Sequence, residues 1–136
     1  MAEIKAKILF IDDDNFLRKV YQSELGERGY DVILASDGQE GLEKAQLSDP
    51  DLIILDMIMP QKNGFEVLTE LQNNPATKNI PVIILSNLGQ EDDIKKGLDL
   101  GAVDYLVKDN ITLGIIVDKI SQYLNSPIFR AILSVA

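Results

Sequence analysis

Residues 51–64 read DLIILDMIMPQKNG. Four apolar residues, Leu52, Ile53, Ile54 and Leu55, run unbroken into one carboxylate, Asp56. A continuous apolar run this short suits a strand buried on both faces, as in a parallel sheet between helix layers. Asp56 then stands where the strand ends and its loop begins, the edge at which open α/β sheets bind ligands. Met59-Pro60 and Asn63-Gly64 punctuate that loop, and Pro60 biases Met59 toward an extended backbone. An aspartate so placed can also simply cap the next helix, so the flanking chain has to decide between the two roles.

Upstream, Ile8–Ile11 (ILFI) is a second unbroken apolar run, closed by Asp12-Asp13-Asp14-Asn15. Phe16, Leu17, Val20, Tyr21 and Leu25 follow at helical spacing, with Asp14 or Asn15 as N-cap and Gly29 as the stop. A short β-rich segment, Tyr30–Ala35, leads to a turn at Asp37-Gly38. Gly41, Leu42, Ala45 and Leu47 then outline a second helix. Downstream of the central strand, a helix runs from about Gly64 to Asn73. Val82–Leu85 is a strand closing at Ser86-Asn87, and Glu91–Leu100 a helix ending at Gly101. Asp104–Val107 is the last strand, and a helix from about Thr112 to Leu124 follows Lys108-Asp109-Asn110.

Five strand–helix units argue an α/β fold with a doubly wound parallel sheet and helices on both faces. With right-handed crossovers, five strands fit the flavodoxin-like order 2-1-3-4-5, whose switch point lies between the first and third strands. Those strands end in Asp12-Asp13 and in Asp56, so three carboxylates share one crevice. Ser86 and Lys108 end the fourth and fifth strands and open onto the same edge.

Three neighbouring carboxylates repel one another unless protonated or neutralised by a cation. The chain has no cysteine and no histidine, which excludes a disulfide framework, a thiolate metal site and phosphohistidine chemistry within the chain. An all-oxygen donor set suits a hard ion such as Mg²⁺. A metal, a lysine, a hydroxyl and a lone carboxylate together make a phosphoryl site, in which the carboxylate attacks phosphorus and the cations stabilise the transferred charge. Taken singly, each group has a plainer role: an acidic triplet as a solvated loop or cap, Ser86 as a turn residue, Lys108 as a surface charge. Their conjunction at four strand ends carries the inference. A net charge of −9 disfavours unassisted binding to nucleic acid or an anionic membrane. Without a signal peptide or a spanning apolar run, a cytoplasmic location is expected.

Over about residues 5–124 the chain is similar to the receiver domains of two-component response regulators. The likeness rests on ILFIDDD, LDMIMPQKNG, Leu85-Ser86 and GAVDYLVK at 101–108. It implies that Asp56 is the phosphoacceptor and that Asp13, Asp56 and the backbone carbonyl of Ile58 bind Mg²⁺, with Asp12 acting through water. It further implies that Ser86 is the switch hydroxyl, Tyr105 the switch aromatic whose ring turns inward, and Lys108 the lysine that meets the phosphoryl group. Arg18 falls where such domains often carry a basic residue. Two departures stand out. Asp109 follows the lysine where such domains usually place a proline after a cis bond, so a trans peptide is expected here. Asn87 replaces a smaller residue beside the switch hydroxyl.

The implied function is a phosphorylation-controlled switch, not a turnover enzyme. It would take its phosphoryl group from a sensor histidine kinase or a phosphotransfer protein in a phosphorelay, and signal to a target through the fourth helix, fifth strand and fifth helix. The alternative is a degenerate receiver acting only as an interaction module. A phosphohydrolase with an aspartyl nucleophile needs a second Asp where Ile58 stands. A flavodoxin-like electron carrier would have its flavin phosphate repelled by Asp12-Asp13-Asp14. The receiver domain is expected over residues 1–125. Beyond it, the apolar tail 126–136 (SPIFRAILSVA) reads as a short amphipathic helix that favours a homodimer.

Overall fold

The computed structural model describes residues 6–125; the tail 126–136 lies outside them. Five strands alternate with five helices: β1 (Lys7–Ile11), α1 (Asn15–Glu27), β2 (Asp31–Ala35), α2 (Gly38–Ser48), β3 (Leu52–Leu55), α3 (Gly64–Asn73), β4 (Val82–Ser86), α4 (Glu91–Asp99), β5 (Asp104–Val107) and α5 (Leu113–Leu124). The strands form one parallel sheet in the order β2-β1-β3-β4-β5, the order expected from the alternation of elements.

Period-two alternation sorts the strand residues onto two helix layers. Leu9, Ile11, Ile53, Leu55, Val82 and Ile84 pack with Ala45 of α2, Val67, Leu68 and Leu71 of α3, and Ile94 of α4. Ile8, Phe10, Leu52, Ile54, Ile83 and Leu85 pack with Tyr21 and Leu25 of α1 and with Ile116, Val117, Ile120 and Leu124 of α5. Phe10 and Tyr21 stack with ring centroids 4.8 Å apart. Both faces of β3 are buried, which is why its sequence is an uninterrupted apolar run.

Local chemistry sets the helix starts. Asp14 caps α1 by accepting from the Leu17 N–H, Asp37 caps α2 by accepting from Glu40, and Thr112 caps α5 by accepting from Ile115. Asn63 and Glu66 form a reciprocal capping box at α3. Gly29 and Gly101, with φ of 93° and 108°, close the turns after α1 and α4 in the left-handed region that glycine tolerates.

The structure corrects the pattern at Phe16 and Leu47 and refines it at two turns. Phe16 and Leu47, expected on the apolar faces of α1 and α2, are 73% and 86% exposed. Leu47 stands two residues beyond buried Ala45, which turns it to the far side of the helix; Phe16 likewise lies off the face that buries Tyr21 and Leu25. The Asp37-Gly38 turn is itself the N-terminus of α2. Lys108-Asp109-Asn110, expected between the last strand and the last helix, forms a short 3-10 turn.

Candidate functional site

Strand register assembles the site. Ile11 pairs with Leu55 across β1 and β3, so the next residues, Asp12 and Asp56, emerge side by side. The ladder continues one step further: the Asp56 N–H donates to the Ile11 carbonyl at 3.0 Å and the Asp12 N–H to the Ala35 carbonyl at 3.1 Å. Ser86 pairs with Val107 at the end of β4 and β5, which brings Lys108 to the same edge. Asp12, Asp56 and Ser86 are buried while Asp13 is exposed, so the crevice opens to solvent on the Asp13 side.

One carboxylate oxygen from each of Asp12, Asp13 and Asp56 lies within 4.8 Å of the others. These residues could hold a metal ion: the donors are all oxygen and need a cation to offset their mutual repulsion. Lys108 supplies part of that charge. Its Nζ donates to Asp12 Oδ2 at 2.7 Å and to Asp56 Oδ2 at 3.4 Å, from a side chain 13% exposed. The Lys108–Asp109 peptide is trans, as the missing proline predicted, and the flexible stem still reaches the carboxylates.

Burial and pairing act unequally on the two partners. At Asp12 burial prevails and pushes the carboxyl above its usual pKa, although the Lys108 hydrogen bond, the Asp14 N–H and the Lys108 charge oppose it. At Lys108 burial acts to lower the pKa. The Asp12 hydrogen bond and the charges of Asp56 and Asp12 outweigh it and hold the ammonium above its usual value.

Backbone groups fix the acidic side chains. The Asp14 N–H donates to Asp12 Oδ1 at 2.9 Å, and the Ile58 N–H to Asp56 Oδ1 at 3.2 Å. Arg18 reaches back from α1 to donate to the Asp12 carbonyl at 2.8 Å; its basic character was legible in the sequence, its bracing of the Asp12 backbone was not. Asp14 is the cap of α1 and stands outside the carboxylate cluster. Gly64 starts α3 directly behind Asp56, where a Cβ would overlap the Asp56 carbonyl and Met57. That close approach explains a glycine there, and an Asn-Gly pair read as a turn signal does not reveal it.

The two switch candidates lie on the β4–β5 side. Ser86 Oγ accepts from the Leu88 N–H at 3.3 Å and, among the described residues, makes no hydrogen bond to Asp56. Tyr105 is only 8% exposed, and its hydroxyl donates to the Leu88 carbonyl. Burial, aided by the charges of Asp93 and Asp56, pushes the phenol up to about 12. Ser86 and Tyr105 therefore bind the two backbone polar groups of one residue.

The family model that describes the response regulator receiver domain matches residues 8–120. The chain belongs to that family. Among curated relatives of this receiver domain, the alkaline phosphatase synthesis transcriptional regulatory protein PhoP of Bacillus subtilis is 42% identical over 102 residues, covering 75% of this chain and 42% of its own length. The receiver domain thus spans less than half of that relative. Among solved structures, the Vibrio cholerae chemotaxis protein CheY4 superposes with a TM-score of 0.80 at 30% identity, covering 88% of this chain and 98% of its own. The BeF3-activated N-terminal receiver domain of Klebsiella pneumoniae RstA superposes with a TM-score of 0.79 at 25% identity, covering 88% and 99%. Among the described residues, no helix is long and apolar enough to cross a membrane.

Proposed function

We propose that this receiver domain is a cytoplasmic phosphorylation-controlled switch and not a turnover enzyme, with Asp56 as the phosphoacceptor. The observation that supports it best is the meeting of Asp12, Asp13 and Asp56 at one strand edge with Lys108 Nζ reaching two of them. Asp13, Asp56 and the Ile58 carbonyl would hold Mg²⁺, with Asp12 acting through water. The bound ion would neutralise charge on the phosphoryl oxygens.

The chain's own residues supply the rest. The donor is a phosphohistidine of a sensor histidine kinase or a phosphotransfer protein, since this chain has no histidine. An oxygen of the Asp56 carboxylate attacks phosphorus, the P–N bond breaks, and the departing imidazole takes the electron pair and then a proton from solvent. A carboxylate nucleophile needs no general base, which suits a site without histidine. Lys108 shifts from the acid pair toward the phosphoryl oxygens, and the Ser86 hydroxyl becomes a donor to them. That Ser86 movement releases the Leu88 N–H and biases the β4–α4 loop. Output then passes to a target protein through the face of α4, β5 and α5. At a net charge of −9 this chain itself is a poor nucleic-acid ligand.

Incubation with acetyl phosphate and Mg²⁺ followed by intact-mass measurement tests the reading. One phosphoryl adduct is expected, absent in Asp56→Asn, strongly reduced in Asp13→Ala and lost with chelator. Efficient labelling of Asp56→Asn, or labelling indifferent to chelator, would overturn it.

A further inference from the structure

Two glycines near Tyr105 are not explained by backbone conformation. Gly89, in the β4–α4 loop, and Gly97, within α4, both lie outside the positive-φ region. A glycine inside a helix weakens it relative to alanine, so Gly97 needs another reason. It is the one buried residue of α4. A Cβ there would stand 2.5 Å from Ile84 Cδ1 and 3.0 and 3.1 Å from Tyr105 Cδ2 and Cε2. A Cβ at Gly89 would stand 2.8 and 3.1 Å from the two Cγ atoms of Val107. By contrast, a Cβ at Gly26 or Gly114 would meet nothing within 4 Å.

We propose that these two glycines are positioning residues for buried Tyr105: Gly97 leaves room for its ring, and Gly89 lets the loop lie on Val107 so that the Leu88 carbonyl meets its hydroxyl. This deepens, and rests on, the reading of Tyr105 as the switch aromatic. Helix α4 is held to its neighbours by Lys96 Nζ, 4.4 Å from the centroid of the Phe65 ring on α3, and by Ile94 packed on the core. The free end of Ile84 can turn aside, which leaves the Tyr105 ring, 3.0 and 3.1 Å away, as the stiff neighbour that has to give. A side chain at Gly89 would act differently, lifting the loop from β5 and taking the Leu88 carbonyl out of reach. The ring and its acceptor are thus served by separate glycines on separate elements.

The separation makes the test specific. The 136-residue chain, labelled at its aromatic rings and free of any phosphoryl donor, is compared by NMR as wild type, Gly97→Ala, Gly89→Ala and Gly114→Ala, each also in a Tyr105→Phe background. The buried population of the residue 105 ring should fall about fivefold or more in Gly97→Ala and in Gly89→Ala, as expected for overpacking, and stay unchanged in Gly114→Ala. With phenylalanine at 105 the Gly97→Ala effect should persist, since the ring remains, while the Gly89→Ala effect should vanish with the hydroxyl. The Ile84→Val/Gly97→Ala pair removes the methyl overlap and guards against simple misfolding; it should still displace the ring. A ring that stays buried in both alanine variants, or a Gly89→Ala effect equally large with phenylalanine at 105, would overturn the proposal. Because no phosphoryl group is present, failure of Asp56 to accept phosphate leaves this result readable.

Discussion

Lys108 is a single side chain on which both the stability of the site and its proposed chemistry depend. It pairs with a carboxylate that is 1% exposed, Asp12. Removing one partner of a buried pair strands the other charge, at a cost of about 3–5 kcal/mol. Lys108→Ala should therefore destabilise the chelator-treated domain by about that amount in urea titrations at neutral pH, and should slow acetyl phosphate labelling. Lys108→Arg should restore much of the stability and little of the labelling, because a planar fork cannot move like a point charge. The tyrosines give a pH signature. Tyr21 and Tyr105 are both pushed up to about 12 from 10.0, chiefly by burial. Folding favours their neutral form, so this contribution is fully present below pH 10 and is lost as pH rises toward 12. Stability should fall across that window, more steeply than in Tyr105→Phe. A flat profile would show that folding does not raise the pKa of these phenols.

Among the elements, the ones legible in the sequence were those with a single physical cause. The runs ILFI and LIIL became strands because both of their faces are buried. Asp14 capped α1 as its position suggested. The 3-10 form of the turn at Lys108–Asn110 was not legible, because Lys-Asp-Asn carries turn propensity without specifying turn type. Phe16 and Leu47 escaped because an apolar residue on a helix reveals its face only when its neighbours fix the phase. The start of α3 depends on the reciprocal Asn63–Glu66 box. Asn63→Ala should cost about 1 kcal/mol, measured by thermal or urea unfolding. Asn63→Asp should cost much less, since the cap acceptor is retained; equal losses would show that the box contributes nothing special.

On the scale of the whole molecule, topology converts distant sequence positions into a site. Asp12, Asp56 and Lys108 are separated by tens of residues, and only the order β2-β1-β3-β4-β5 brings their strand ends together. That juxtaposition could be read from the sequence, since the alternation of elements and the handedness of crossovers leave few arrangements. The side-chain detail could not. Which oxygen of Asp12 meets Lys108, the bracing of Asp12 by Arg18, and the shared hold of Ser86 and Tyr105 on Leu88 depend on rotamers and loop paths that no periodicity encodes. The same topology joins the site to the α4–β5 region through one short loop, so the phosphoryl group proposed at Asp56 would be placed to act there.

Borohydride reduction after acetyl phosphate treatment reads that chemistry at a single residue. An aspartyl phosphate is reduced to homoserine, and tandem mass spectrometry of the digested protein locates it. A phosphoacceptor Asp56 gives homoserine at position 56 alone, dependent on Mg²⁺. Homoserine at Asp12 or Asp13 with Asp56 intact, or none anywhere after saturating treatment, would contradict it.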